Sequence, residues 1–163
     1  DGEAQTNWQA PSADVFARSQ KSWVSFGPAS EFPANVGTPV LYGESQLAIF
    51  KTAAGDFFAT QNMCPHKQAF VLAQGIVGLA GDAPKVACPL HKKQFALEDG
   101  KQLDGDLRVV TFPVREEDGQ VQLELPPKTE LDAVLSTSLL KVKCNSPVIS
   151  PITFDNATAV FAR

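Results

Sequence analysis

Histidine, methionine and tyrosine are scarce in this 163-residue chain, which has two, one and one of them, and cysteine occurs three times. Each scarcity excludes something. The cysteines, Cys64, Cys88 and Cys144, are odd in number and too few for a disulfide framework. That usage points to a reducing compartment and to metal ligation. No apolar run approaches the roughly 18 residues that a membrane helix requires. Residues 1–20 are polar, so no secretory signal is read there. The first residue is not Met, which marks a mature or trimmed form and leaves room for a removed targeting segment. A cytoplasmic location is expected, with the chloroplast stroma after transit-peptide removal as the alternative. The net charge of −4 offers no basic face to nucleic acid.

What is present describes a globular domain. A chain of this length buries about two-thirds of its unfolded surface in one core, and the hydrophobic content of 44% is ordinary for that class. Short apolar segments punctuated by turn residues indicate an all-β antiparallel sandwich or barrel. Strands are expected at 23–26, 39–42, 46–51, 57–61, 85–87, 94–97, 109–114 and 120–125. Gly43-Glu44, Asp99-Gly100 and Glu117-Asp118-Gly119 are the hairpin turns. In 120–125, Val121, Leu123 and Leu125 alternate with polar residues, so one face is buried. Thr129 is the expected N-cap of a short helix reaching about Leu135. The chain therefore divides into a lead-in at 1–22, a β domain at 23–127, and a short helix with an extended C-terminal arm at 128–163 packed on that domain.

Both histidines sit beside cysteines. Cys64-Pro65-His66 and Cys88-Pro89-Leu90-His91 form two Cys/His pairs separated by 21 residues, each at the tip of a loop between expected strands. A two-iron cluster of the Rieske kind needs two thiolates and two imidazoles. Two loops that each give a Cys to one iron and a His to the other would bridge it. A structural zinc ion is the competing reading, but it needs four atoms converging on one tetrahedron, and zinc pairs are spaced by about two to four residues. Chance placement would leave the use of every histidine in matched pairs unexplained.

Cys-x-His followed by Cys-x-x-His is the Rieske signature. The segments around it resemble one branch: Phe58-Ala59, Asn62-Met63-Cys64-Pro65-His66-Lys67, Leu72, Gly75-Ile76-Val77-Gly78 and Pro84-Lys85-Val86-Ala87-Cys88-Pro89-Leu90-His91-Lys92. With Thr111-Phe112-Pro113-Val114-Arg115, Asp118-Gly119-Gln120-Val121 and Leu131-Asp132-Ala133-Val134-Leu135, they are similar to the Rieske-like small subunit of assimilatory NAD(P)H nitrite reductase. The same unit forms a C-terminal domain in single-chain versions. The resemblance runs from about Trp23 to Val142. It implies a Rieske-like fold with two cluster-binding loops, a [2Fe–2S] cluster on Cys64, His66, Cys88 and His91, and no catalytic residue in this chain. It also implies a redox partner or a fused reductase domain, with electrons passing through flavin and Fe–S centres to a sirohaem that reduces nitrite. Many small subunits of that family have lost the ligands; this chain retains all four. The inter-loop disulfide and the Gly-Pro-rich third loop of respiratory Rieske proteins have no counterpart here.

The hydroxyl donors that follow the second histidine in respiratory members are missing too, since Lys92, Lys93, Gln94 and Phe95 occupy those positions. A reduction potential near the low end of the Rieske range, about −150 mV or somewhat above, is expected. Lys67, Lys92 and Lys93 flank the histidines and suit either a solvated edge or docking of an acidic partner. Trp23, Phe26, Phe50, Phe57 and Phe58 are read as core rather than as an electron path. Cys144 is read as a plain small residue, and the sequon at Asn156 carries no weight without a secretory context.

Taken alone, the chain lacks a dinucleotide fingerprint and further metal ligands, so it is at most an electron-transfer component. A complete oxygenase would need two more histidines for a mononuclear iron. The alternatives are a free-standing Rieske ferredoxin serving another reductase or an oxygenase, or a non-redox assembly module.

Overall fold

The computed structural model describes residues 10–11, 15–66, 69–90 and 92–135. Among these described residues twelve strands and one α-helix follow in order. β1 (Ser22–Pro28), β2 (Val36–Tyr42), β3 (Ser45–Lys51) and β4 (Phe57–Gln61) lead to the short β5 (Met63–Cys64) and β6 (Ala69–Phe70). Then come β7 (Ile76–Ala80), β8 (Ala83–Ala87), β9 (Gln94–Ala96), β10 (Thr111–Phe112), β11 (Val114–Glu117), β12 (Gln120–Leu125) and α1 (Lys128–Leu135). Every pairing is antiparallel. The sheets are β1-β12-β11, β10-β4-β3-β2, β5-β6 and β7-β8-β9, and among the described residues they close no barrel. Of the two architectures expected, the open, layered one is present.

Strand β3 explains how one small domain holds two cores. Its side chains alternate across the sheet, and both faces are buried. Leu47 and Ile49 join Val40, Tyr42, Phe112, Val121, Leu123, Leu125, Leu131 and Leu135 on one side. Ala48 and Phe50 join Leu72, Val86, Phe95, Leu97 and Val109 on the other, together with Cys64 and Cys88. Burying each large apolar side chain contributes about 1.5–3 kcal/mol, so β3 is the wall on which both halves depend. In β12 the alternation is as expected, with Val121, Leu123 and Leu125 fully buried.

The turns follow local chemistry. Gly43-Glu44 joins β2 to β3 in register, with Tyr42 opposite Ser45. Asp118 and Gly119 both have positive φ, 53° and 76°, which a two-residue type I′ hairpin demands. Asp99-Gly100 is not a two-residue hairpin: the Ala96 amide donates to the Lys101 carbonyl at 2.9 Å, leaving the four residues 97–100 in the loop. Gly100 is required there twice over, since its φ is 80° and a β-carbon would lie 2.1 Å from the Val109 carbonyl oxygen.

The segment 109–114, expected as one strand, is two. Thr111-Phe112 pairs with β4 and Val114 onward pairs with β12, so the chain changes sheets at Pro113. Proline brings no amide to either ladder, while its carbonyl accepts the Glu124 amide at 3.0 Å. The helix also begins two residues earlier than an N-cap at Thr129 would place it. Pro127, not Thr129, precedes it, and the Pro127 carbonyl accepts the Glu130 and Leu131 amides. Asp132 then ties the helix to the β2–β3 turn by accepting the Glu44 amide at 3.0 Å and the Ser45 hydroxyl at 2.8 Å. The Tyr42 hydroxyl donates to the Pro126 carbonyl at 2.6 Å.

Of the aromatics read as core, Phe50 is fully buried, while Phe26, Phe57 and Phe58 pack half-buried on the two clusters. Trp23 is half-buried beneath the Arg115 guanidinium, 4.2 Å from its ring centre. The C-terminal arm, with Cys144 and Asn156, lies outside the described residues.

Candidate metal centre

Two loops extend from the second core. The first starts at β5, where Cys64 lies opposite Ala69 across the β5–β6 ladder, leaving residues 65–68 between them. Cys64 is fully buried and Pro65 is buried, whereas His66 is half-exposed with its Nδ1 atom buried. The second starts at the end of β8. Cys88, also fully buried, donates its amide to the Lys93 carbonyl at 2.7 Å and accepts the Lys92 amide at 2.8 Å. Those two bonds close the loop with Cys88 at its base. Lys92 takes the left-handed φ of 59° that turns the chain back toward β9.

Cys64 and Cys88 thus meet in one apolar cluster, and both are thiols rather than half-cystines. His66 stands beside the first. His91 and Lys67 lie outside the described residues, among which no three His, Cys, Asp or Glu converge to hold a single ion. Lys92 is exposed and Lys93 is half-buried. Asp104 is held below the usual carboxylate range, chiefly by the Gln102 side-chain amide at 3.0 Å, and the Lys93 ammonium adds to it. At this edge the apolar residues Leu90 and Ile76 stand out, 47% and 70% exposed.

The bases of the loops are held by residues that motif reading missed. The Gln61 side chain, fully buried, donates to the Met63 carbonyl and accepts the Val110 amide, each at 2.7 Å. Asn62 accepts the Ala73 amide at 2.7 Å through its side chain and the Leu72 amide at 3.0 Å through its carbonyl. Their signal in the sequence is a pair of adjacent amide side chains ending two residues before the first cysteine. Strand ends there leave backbone groups that require partners. A cavity of about 780 Å³, lined by Phe16, Phe57, Leu97, Arg108 and Phe112 among others, lies under the segment at 15–21; none of the described candidate ligands lines it.

The fold and these loops define a small antiparallel β domain that presents two cysteine loops on a core of their own. The chain belongs to the Rieske-like [2Fe–2S] domain family, whose model matches residues 22–124. The family's cofactor is the [2Fe–2S] cluster. The NAD(P)H nitrite reductase of Emericella nidulans is 43% identical over 127 residues, covering 74% of this chain and 11% of that enzyme. The NADH nitrite reductase small subunit of Escherichia coli K12 is 32% identical over 103 residues, covering 62% of this chain and 95% of the subunit. In three dimensions, the NMR structure of the E. coli protein NirD aligns with a TM-score of 0.60 at 29% identity, covering 65% of this chain and 98% of NirD. The chain therefore spans nearly the whole of small-subunit relatives but about a tenth of the fungal enzyme. Among the described residues no helix is long and apolar enough to cross a membrane.

Proposed function

We propose that Cys64, His66, Cys88 and His91 hold the [2Fe–2S] cluster and that the domain passes single electrons within a nitrite reductase system. The observation that carries this reading is the burial of Cys64 and Cys88 together at the bases of two loops. Two thiolates in an apolar cluster are costly unless a cation compensates them, and the donor set of two thiols and two imidazoles suits the cluster of this family. When bound, the cluster takes up and returns one electron. The protein's part is to keep water from the thiolate side and to leave the histidine side accessible. Residues beyond the matched domain would supply nitrite binding and the NAD(P)H site, since relatives named as whole enzymes are far longer.

The partner is the reductase body, as a separate chain or as the rest of the same one. Lys92, exposed beside the second loop, offers it a charge, and Leu90 offers apolar surface. Lys93, half-buried, contributes less. The reading sets the domain in the cytoplasm, where thiols stay reduced.

Anaerobically purified protein reduced with dithionite should show the EPR signal of a Rieske cluster and bind two irons per chain. In Cys88→Ser both should be lost, because ligation and folding of the loops are linked. Full iron content in Cys88→Ser refutes the assignment.

A further inference from the structure

Cys64 and Cys88 are 24 residues apart, and no strand pairing joins β5 to β8. Something else must fix the separation of the two loop bases, and a chain of contacts does so. It starts at Asn62, two residues before Cys64 and 3% exposed. On one side its amide donates to the Gln46 carbonyl at 2.9 Å, and its side-chain nitrogen donates to the Gln46 side-chain oxygen at 3.1 Å, anchoring it to β3. On the other side it accepts the Leu72 and Ala73 amides, capping the single helical turn Leu72–Gln74. That turn ends at Gly75. A β-carbon there would lie 2.4 Å from the Ala87 carbonyl oxygen, so only glycine lets the turn rest against the residue before Cys88. The backbone of Gly75, at φ −73° and ψ 173°, suits any residue, and close approach alone requires it.

We propose that Asn62 is a positioning residue that, through the 72–75 turn, sets the distance and angle between the two cysteine loops. Its full set of hydrogen bonds is what lets the turn transmit position. A buried amide that loses its acceptor cannot be rescued by water without opening the turn. With Asn62 intact, both loops move as one body with β3. Without its side chain the Leu72 amide still bonds the carbonyl of residue 62, but the Ala73 amide loses its acceptor and the turn is held less tightly to the first loop. The inference rests on the cluster reading above and adds a residue that does not touch the cluster.

The test uses the anaerobically purified, cluster-loaded protein. In Asn62→Ala the orphaned Ala73 amide should destabilise the coupled loops enough to speed iron release to a chelator about tenfold. The EPR lines of the reduced protein should broaden as ligand geometry becomes heterogeneous. The potential should rise as water reaches the sulfurs, and the Leu72 and Ala73 amides should exchange faster. Asn62→Asp keeps the acceptor for Ala73 and should restore the line width. Wild-type line width, potential and release rate in Asn62→Ala would overturn the proposal. If Asn62→Ala fails to fold, Gly75→Ala decides: it changes no hydrogen-bonding atom of Asn62 but forces the turn and Ala87 apart. Broadened lines there support the coupling, and a wild-type spectrum overturns it. Absence of any cluster signal in the unmodified protein would instead refute the functional reading. The positioning of the turn would then be judged by amide exchange alone.

Discussion

Replacing Gln61 with leucine tests whether a buried amide, rather than apolar packing, holds the base of the first loop. The side chain is fully buried and meets two backbone groups at 2.7 Å, the Met63 carbonyl and the Val110 amide. Leucine is close in volume and removes both hydrogen bonds, in surroundings where Met63 and Val110 are 3% and 8% exposed. Each buried group that loses its hydrogen bond costs about 1–3 kcal/mol, and the apolar gain of leucine offsets part of it, so the net loss is about 2–4 kcal/mol. At roughly 4 °C per kcal/mol for a domain near this size, Tm should fall by about 8–16 °C. Gln61→Glu sharpens the test. An ionised glutamate still accepts from Val110 but turns a second oxygen toward the Met63 carbonyl, and burial raises its folded pKa above the unfolded value. A group so shifted stabilises most below its unfolded pKa and loses that contribution as pH rises through the folded one. Gln61→Glu should therefore lie nearest the wild type in acid and fall away toward neutral pH. Thermal unfolding followed by circular dichroism measures both. A Gln61→Leu protein within about 0.5 kcal/mol of wild type would show that the two hydrogen bonds contribute little and that packing alone seats the loop.

The only tyrosine gives a second test. Burial, and then the charge of Asp132, raise the Tyr42 pKa above its ordinary value, so the fold opposes ionisation. The sign is that of a raised pKa: the contribution is complete below the unfolded value near 10 and is lost as pH climbs through the folded one. Stability should decline in strong alkali, and Tyr42→Phe should remove that decline while costing about 1 kcal/mol at neutral pH for the lost bond to Pro126. An alkaline step that survives in Tyr42→Phe assigns it to another group. At the partner surface, Lys92→Glu should slow association with the reductase body severalfold at low salt, and Lys93→Glu less, because Lys93 is half-buried. Equal rates for both variants and the wild type at low ionic strength would place docking on another face.

The motif and most of the strands were legible in the sequence because they depend on local rules. Alternation marked the buried face of β12, and Cys/His pairing marked the loops. What sequence reading mistook depended on contacts made far along the chain. Nothing local announces that 109–114 divides between two sheets; Pro113 permits the change, but the pairing of Thr111 with Thr60 and of Val114 with Leu123 produces it. Asp99-Gly100 has the composition of a two-residue hairpin. Its loop is longer because Gly100 also sits against Val109, a contact no pattern within the segment encodes. β7 carries no alternating pattern that would mark it as a strand: Ile76 and Leu79 are exposed at an edge while Val77 packs inward. Thr129 has the residue type of an N-cap, yet the Pro127 carbonyl takes that place two residues ahead.

The candidate ligands are themselves members of a core, which makes packing and ligation inseparable here. Cys64 and Cys88 are as buried as Phe50 and Phe95, in the same cluster, so their sulfurs fill volume whether or not a metal is bound. The first core, on the opposite face of β3, contains neither cysteine and is clamped independently, by Asp132 of α1 on Ser45 and by the Tyr42 hydroxyl on the Pro126 carbonyl ahead of the helix. A chain that loses its ligands can therefore keep the first core and the sheet wall intact while the loops alone rearrange. Conversely, in a chain that keeps them, the apolar second core is already a shell that excludes water from the thiolates. The two-core arrangement thus separates the stability of the scaffold from that of the site, and β3, shared by both, is where a single substitution would couple them. Phe50→Ala, which hollows the second core directly across the sheet from Leu47 and Ile49, would cost about 3–5 kcal/mol. The loss would be felt first at the loops that rest on it.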